Sequence, residues 1–127
     1  MKEWFMVAIG GMLGSLLRHG IHQGSLVLLG SKFPFGTLIA NGIGCFCIGF
    51  GWHVAERQGW IGGQWELAYR AGLLGGLTTF SAFSLDIVRF WQQGEYGLGA
   101  LVLLGNLLLG VVGVLLGMML ASSLYPS

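Results

Sequence analysis

The chain has 127 residues, of which 54% are apolar and 9% are charged, and its formal net charge is +1. Soluble domains carry about 25% charged residues because their surfaces face water, so this composition excludes an ordinary soluble protein. It also leaves no basic surface for nucleic acid and no room for a separate catalytic domain. The sequence therefore predicts an integral membrane protein that acts within the bilayer.

Four apolar stretches follow one another along the chain, separated by short polar segments. They cover residues 4–29, 35–54, 67–91 and 98–120. Each meets the requirement of about 20 residues for an α-helix that crosses a bilayer. We predict an all-α, multi-pass integral membrane protein in which residues 1–127 form a single four-span domain surrounded by membrane lipid.

The first stretch carries Arg18 past its middle, followed by His19 and His22. Ionisable side chains inside a membrane are costly and usually face the bundle interior or a water-filled path, which makes Arg18 a candidate functional residue. Alternatively, its long side chain extends to the headgroup layer. We expect both histidines at the membrane interface.

The second stretch carries Asn41 about a third of the way along it, and the fourth carries Asn106. Each amide can line a polar path or form a hydrogen bond between helices. Cys45 and Cys47 are two residues apart and so face different sides of a helix, which argues against a disulfide or a metal pair.

The third stretch groups glycines, hydroxyls and two phenylalanines in the segment GLLGGLTTFSAFSLD, residues 72–86. Gly75 and Gly76 weaken a helix, and the threonine hydroxyls compete for its backbone hydrogen bonds. We predict that this helix is broken near Gly75–Thr78. Backbone carbonyls left free at Gly75 and Thr78 would suit a hard cation.

Phe80 and Phe83 lie just beyond the predicted break and, being three residues apart, share one face of a helix. The edge of an aromatic ring is electropositive, so rings turned edge-on to a pore attract an anion without a full charge. The hydroxyls of Ser81 and Ser84 and the amide of Asn41 would give the same pore hydrogen-bond donors for the anion. The alternative is that both rings simply pack against neighbouring helices.

Glycines four residues apart mark faces on which membrane helices pack closely. Three such pairs are Gly10–Gly14, Gly72–Gly76 and Gly113–Gly117. Four short helices make a thin bundle with little interior, which favours a homo-oligomer.

Lysine and arginine divide equally between the two sides of the membrane. Lys2, Arg57 and Arg70 fall on the side of the termini, and Arg18, Lys32 and Arg89 fall on the other. The positive-inside rule therefore sets no orientation. Chains inserted in both orientations could pair about a two-fold axis in the membrane plane, and the alternative is one orientation fixed by a weaker bias.

Three motifs occur in order along the chain: GGMLGSLLRHG at 10–20, GTLIANGIGCFCIG at 36–49 and GLLGGLTTFSAFSLD at 72–86. They resemble the motifs of the Fluc fluoride-channel family, also called CrcB. The resemblance implies a passive channel that lets fluoride leave the cell across the cell inner membrane. It also implies an antiparallel, dual-topology homodimer with two pores and a structural sodium ion at the dimer centre.

The functional residues of that family match positions of this chain. Its pore residues match Phe80, Phe83 and Asn41, its hydroxyl track matches Ser81, Ser84 and, more weakly, Thr37, its vestibule arginine matches Arg18, and the backbone carbonyls that hold sodium match Gly75 and Thr78. The chain departs from the family pattern at three positions, with Ala82 for a threonine, Asp86 for a glutamate and His19 for a tyrosine. The resemblance therefore leaves one hydroxyl of the track missing.

Two other functions compete with a channel. A fluoride/proton antiporter normally needs a titratable carboxylate at membrane depth, and no Asp or Glu lies in the middle of any predicted span. A structural subunit that transports nothing would not need the polar, broken third span. No Ser-His-Asp, Cys-His or paired-carboxylate set can be assembled from the sequence, so we do not expect an enzyme.

Overall fold

The computed structural model describes residues 1–126, and within them it is all α-helical apart from short connections. Helix α1 is Lys2–Leu29, α2 is Phe35–Gln58 and α6 is Tyr96–Leu124. The third span, Gln64–Gln92, consists of α3 (Gln64–Leu67), a π-helical segment (Ala68–Leu74), α4 (Gly75–Leu77) and α5 (Phe80–Gln92). In the described part, four helices are long and apolar enough to cross a membrane, as predicted.

The third span is interrupted, but slightly later than its glycines suggest. Gly75 keeps helical dihedral angles, and the helix ends at Leu77. Thr78 and Thr79 are extended, with ψ angles of 155° and 123°, and α5 begins at Phe80. The predicted break near Gly75–Thr78 is therefore confirmed and located at residues 78–79. We call residues 64–77 the first half-span and α5 the second half-span.

The first half-span packs against α1 with almost no side chain between the two backbones. A Cβ atom on Gly72 would lie 2.8 Å from the Val7 carbonyl oxygen, and one on Gly76 would lie 2.5 Å from that of Gly11. On α1, a Cβ atom on Gly14 would lie 2.8 Å from the Leu77 amide nitrogen. Any side chain would force the helices apart, so the predicted close packing at these glycines is confirmed.

Helices α2 and α6 pack along each other in the same way. A Cβ atom on Gly113 would lie 3.2 Å from the Gly42 carbonyl oxygen, and one on Gly117 would lie 2.8 Å from the Phe50 amide nitrogen. The third predicted glycine pair is thus also a packing face. These contacts hold α2 beside α6 and so bring Asn41 near Asn106.

Larger side chains fill two buried clusters that flank the break. Ala40, Leu74 and Leu77 form one, where the first half-span meets α2. Phe83, Ile87 and Val102 form the other, where the second half-span packs on α6. The break at residues 78–79 lies between these two clusters, and their packing fixes the direction in which each half-span leaves it.

Candidate functional site

The side chain of Asn41 holds the break open from the neighbouring helix. Its Oδ1 accepts a hydrogen bond from the Thr79 N–H at 2.8 Å, and its Nδ2 donates to the Thr79 carbonyl at 3.1 Å. Nδ2 also donates to Oδ1 of Asn106 at 2.9 Å, and Asn106 Nδ2 donates to the Val102 carbonyl at 2.8 Å. The N–H and the carbonyl of Thr79, an extended residue, are thereby both paired, as backbone groups at membrane depth must be.

The two threonines of the break satisfy further groups at the helix ends. Thr78 Oγ1 donates to the Leu74 carbonyl at 2.9 Å, at the end of the first half-span. Thr79 is the N-cap of α5, where its Oγ1 accepts from the Ala82 N–H at 3.2 Å. A threonine N-cap contributes on the order of 1 kcal/mol to helix stability. The TT pair thus both ends one helix and starts the next.

These contacts remove the helical partners of two backbone carbonyls. In a continuous helix the Thr79 N–H would bond to the Gly75 carbonyl and the Ala82 N–H to that of Thr78. The first donates to Asn41 instead, and the second to Thr79 Oγ1. The carbonyls of Gly75 and Thr78, both predicted as cation ligands, have therefore lost the donors that a helix supplies.

Two backbone carbonyl oxygens are the kind of ligand that a hard cation prefers. Neutral oxygen ligands suit ions such as sodium rather than soft transition metals. Within residues 1–126 no group of three or more His, Cys, Asp or Glu is placed to hold a metal. Arg18 Nη1 lies 3.5 Å from the Thr78 carbonyl oxygen, at the outer limit of a hydrogen bond. A carbonyl oxygen has a second lone pair for another partner, but the positive charge of Arg18 opposes a cation at this oxygen.

The two phenylalanines of α5 form an edge-to-face pair in very different surroundings. Their ring centroids are 4.8 Å apart and their planes are at 90°. Phe80 is 76% exposed, whereas Phe83 is 5% exposed and packs with Ile87 and Val102. One ring is therefore free to meet an ion or a second chain, and the other is also part of the core.

Beside this pair is an open cleft of about 400 Å³, which we call the phenylalanine cleft. It is lined by Asn41, Cys45, Thr78, Thr79, Phe80, Phe83, Asn106, Leu107, Gly110, Val111 and Val114. The structure thus brings together three of the predicted pore residues, Asn41, Phe80 and Phe83, at the break. Among the described residues that line this cleft there is no Asp, Glu, Lys, Arg or His.

A second cleft of about 350 Å³, the arginine cleft, lies on the other side of Thr79, which lines both. Its lining residues are Ser15, Arg18, His19, His22, Pro34, Gly36, Thr37, Thr79, Ala82, Leu85 and Asp86. Arg18 and Thr37, predicted for the vestibule and the hydroxyl track, are here together. His19 and His22, expected only at the interface, also line this cleft, with Asp86 among its walls.

The two serines predicted for the hydroxyl track form their hydrogen bonds with nearby residues of the third span. Ser84 Oγ donates to the carbonyl of Phe80 at 2.8 Å, within its own helix. Ser81 Oγ lies 3.3 Å from Thr79 Oγ1. Neither serine is among the described residues that line the two clefts, whereas Thr79 lines both.

Sequence reasoning missed the capping role of Thr79 and the position of Cys45 on the cleft wall, and it did not identify Asn106 as the hydrogen-bond partner of Asn41. The first had a signal, since Thr79 directly precedes the FSAFSLD run as an N-cap residue does. For Asn106 an interhelical hydrogen bond was one of two open alternatives. Nothing in the spacing of Cys45 distinguishes a cleft wall from a packed helix face.

Comparison with known proteins identifies the family. The chain matches the family described as "CrcB-like protein, Camphor Resistance (CrcB)" over residues 5–118. A relative from Aeromonas salmonicida (strain A449) is 42% identical over 124 residues, which are 97% of this chain and 98% of the relative. A relative from Rhizobium etli (strain CIAT 652) is 38% identical over 118 residues, which are 93% and 94% of the two chains.

A third relative, from Parabacteroides distasonis (strain ATCC 8503 / DSM 20701 / CIP 104284 / JCM 5825 / NCTC 11152), is 38% identical over 124 residues, covering 98% of this chain and 96% of the relative. All three relatives are named fluoride-specific ion channel FluC. They are channels and not enzymes, as the sequence led us to expect. The chain therefore belongs to the CrcB family of membrane channel proteins.

Proposed function

We propose that the chain forms a passive, fluoride-selective channel that lets fluoride leave the cytoplasm across the cell inner membrane. The observation that carries the proposal is the pairing of a broken helix with an edge-to-face phenylalanine pair beside one cleft. Full-length similarity to relatives named fluoride-specific ion channels supports the choice of ion.

Fluoride is small and strongly hydrated, so a path for it must replace water with hydrogen-bond donors and electropositive ring edges. Phe80 and Phe83 offer ring edges, and Thr79 lies in the same cleft wall, whereas the hydroxyl of Thr78 already donates to the Leu74 carbonyl. Both amide protons of Asn41 are engaged, with the Thr79 carbonyl and with Asn106. In this arrangement the main role of Asn41 is to stabilise the break. Its amide can donate to fluoride only after one of these two hydrogen bonds is broken.

The charge pattern favours electrodiffusion over proton-coupled exchange. A carboxylate that alternately binds and releases a proton is the usual coupling device at membrane depth. The described residues lining the phenylalanine cleft include no carboxylate, and Asp86 lines the arginine cleft instead. Fluoride would then move down its own electrochemical gradient.

We also propose an antiparallel homodimer of chains with opposite orientation. Phe80 and Gly75 are exposed beside the break, so a second copy can cover both. Two copies would bring four carbonyl oxygens, from Gly75 and Thr78 of each chain, around one sodium ion. When bound, that ion would neutralise carbonyl dipoles at the dimer centre without being transported.

Fluoride efflux from liposomes tests the channel. Purified protein should release fluoride rapidly when valinomycin alone provides a potassium shunt, and a proton carrier should add nothing. Protein-free liposomes measure leak, and liposomes loaded with chloride measure selectivity. Efflux that requires the proton carrier would replace the channel with an antiporter, and absence of efflux under both conditions would contradict any fluoride transport.

Orientation is tested by labelling single cysteines placed at each terminus of a variant lacking Cys45 and Cys47. Half of the termini should react from each side of the membrane in intact cells. Reaction from one side only would contradict the antiparallel dimer.

A further inference from the structure

A cavity of about 320 Å³ lies where the end of α2 meets the start of the third span. Four aromatic side chains are among the residues that line it: Phe50, Trp60, Trp65 and Tyr69. Glu66 lines it as well and, among the described residues of its wall, is the only side chain with a full charge. None of these residues lines either cleft at the break, so this cavity, which we call the aromatic cavity, is a separate site.

The fold holds two walls of the aromatic cavity in place. The Tyr69 hydroxyl donates to the Cys47 carbonyl at 2.6 Å, and the Tyr69 ring lies so close to Gly51 that a Cβ atom there would overlap it. The Trp60 N–H donates to the Ala55 carbonyl at 2.8 Å, which fixes the connection at the end of α2. Walls that are already formed lower the entropic cost of binding a ligand.

Glu66 is the charged group of this cavity, and its side chain is only 8% exposed. Its Oε1 forms an ion pair with Arg70 Nε, and its Oε2 lies 3.4 Å from the nitrogen of the Gly62 N–H. The Arg70 side chain is 48% exposed, so its guanidinium can also bind an anion such as a phosphate. A buried carboxylate and an accessible guanidinium therefore lie side by side at the cavity.

These groups select a ligand that carries both a positive and a negative charge. The electronegative faces of aromatic rings attract alkylammonium groups, and tryptophan rings do so most strongly. An isolated ammonium ion would gain little from Glu66, whose charge is already balanced by Arg70. A ligand that also carries a phosphate gives Arg70 an anionic partner, so that the charges of protein and ligand stay balanced.

The position of the cavity indicates that this ligand is a lipid. The cavity lies at the end of two membrane spans, and Trp60 and Trp65 are 59% and 79% exposed there, as is typical of side chains in the headgroup layer. Arg70 follows Glu66 by four residues, about one helical turn, and so lies deeper in the span. In a phospholipid the phosphate is likewise nearer to the acyl chains than the ammonium group is.

We propose that the aromatic cavity binds the headgroup of a zwitterionic phospholipid such as phosphatidylcholine or phosphatidylethanolamine. The ammonium group lies among the four rings beside Glu66, the phosphate contacts Arg70, and the acyl chains run along the outside of the bundle. This site goes beyond ion conduction. Its tests contain no fluoride, so their outcome is independent of the proposed channel.

Lipid retention tests the headgroup preference. Delipidated protein in detergent is mixed with equal amounts of dioleoylphosphatidylcholine and dioleoylphosphatidylglycerol, and native mass spectrometry measures the lipid that stays bound. The parent should retain about five-fold more phosphatidylcholine, as expected for a cation held among aromatic rings. Glu66→Gln and Trp65→Leu should bring the two lipids close to equal retention.

Glu56→Gln and Trp52→Leu are the matched controls. They remove a carboxylate and an indole from exposed positions on α2, and neither is among the described residues that line the cavity. Both should keep the preference of the parent. Equal retention of the two lipids by the parent would overturn the proposal, and so would a preference that survives both Glu66→Gln and Trp65→Leu.

A second measurement distinguishes a zwitterion from a simple organic cation. Glycerophosphocholine has both charges and no acyl chains, and it should displace bound phosphatidylcholine at about one-fifth of the concentration that choline requires, because its phosphate adds a charge-assisted contact. Arg70→Gln should remove this difference, whereas Arg57→Gln, which changes an exposed arginine near the end of α2, should keep it. Choline that competes as well as glycerophosphocholine would overturn the proposal. Both measurements on the parent still decide if a variant fails to fold.

Discussion

The two halves of the third span pack against their neighbouring helices in different ways. The first half-span packs against α1 through glycines, and hypothetical Cβ atoms on Gly72 and Gly76 meet backbone atoms of α1 at 2.8 and 2.5 Å. The second half-span packs on α6 through large side chains, with Phe83, Ile87 and Val102 buried together. It also carries an exposed phenylalanine, Phe80, and a threonine N-cap.

The difference separates a fixed part of the span from a functional part. The first half-span contacts α1 through backbone atoms, and no side chain at this contact can change rotamer. The first half-span therefore fixes where the break begins. The second half-span presents side chains to the two clefts, with Phe80 on one and Ala82 and Asp86 on the other. Substitutions in the first half-span should therefore affect folding, and those around the second should affect conduction.

The largest effect is expected where a side chain is added on α1 at its contact with the first half-span. Gly14→Val would overlap the Leu73 carbonyl and come within 2.8 Å of the Leu77 amide nitrogen. Overpacking against backbone cannot be relieved by a rotamer change, so the cost should exceed about 3 kcal/mol. We expect loss of nearly all monodisperse protein in size-exclusion chromatography.

Gly24→Val is the matched control, since it is on the same helix and, among the described residues, no atom beyond the neighbouring backbone of its own helix lies within 4 Å of the position that its Cβ would take. It should purify like the parent. If Gly14→Val also purified and conducted normally, the rigid role of the first half-span would be wrong.

A smaller but still large effect is expected from Asn41→Leu. This change leaves the Thr79 N–H, the Thr79 carbonyl and Asn106 Oδ1 without their partner. Each unpaired buried group costs about 1–3 kcal/mol, so the open geometry of the break should be lost. Fluoride efflux should fall at least about 100-fold, since three such groups cost at least about 3 kcal/mol and each 1.4 kcal/mol is a factor of about ten.

Asn106→Leu provides the comparison because Asn41 keeps both of its hydrogen bonds to Thr79. It should reduce efflux by about ten-fold, with one lost interaction of about 1.4 kcal/mol. Equal and small effects of the two substitutions would mean that neither amide positions the break.

Substitutions of the two phenylalanines distinguish a role in conduction from a role in packing within the second half-span. Phe80→Ile removes an electropositive ring edge from an exposed position and should cut efflux about ten-fold without loss of folded protein. Phe83→Ile removes the same feature from a buried position, so it should lower both efflux and thermal stability. Efflux and melting temperature are measured on the same preparations.

Phe46→Ile is the control for these two variants, since Phe46 is on α2 and is not among the described residues that line the phenylalanine cleft. It should conduct nearly as well as the parent. If both Phe80→Ile and Phe83→Ile conduct like the parent, the rings serve packing alone.

The smallest effect is expected from sodium removal, which acts at the junction of the two half-spans. Replacing sodium by N-methyl-D-glucamine should lower efflux or the fraction of dimer about three-fold, because the carbonyls of Gly75 and Thr78 would lose a bound cation. Cross-linking and efflux follow the change, and readdition of sodium should reverse it. Unchanged efflux after exhaustive removal would contradict the sodium site.

Much of the architecture could be predicted because it depends on neighbouring residues. The length of an apolar stretch is a local property, and so is the spacing of Gly72 and Gly76 on one helix face. The existence of a break followed from glycines and threonines in one segment. Its exact residues did not, because Gly75 and Gly76 stay helical and the chain opens only at Thr78 and Thr79, where Asn41 binds the Thr79 backbone.

The sequence by itself thus determined four spans, a broken third helix and close packing at the glycine pairs, since these are properties of residues within a few turns of one another. The tertiary structure decided what each polar group does. Asn41 is 38 residues from Thr79 and 65 from Asn106, and no spacing rule links such positions. His22 and Asp86 line the arginine cleft together only because α1 and α5 are both held against the start of α2. A buried polar group takes whichever partner the packed backbone brings within about 3 Å, and that distance is set by the whole bundle.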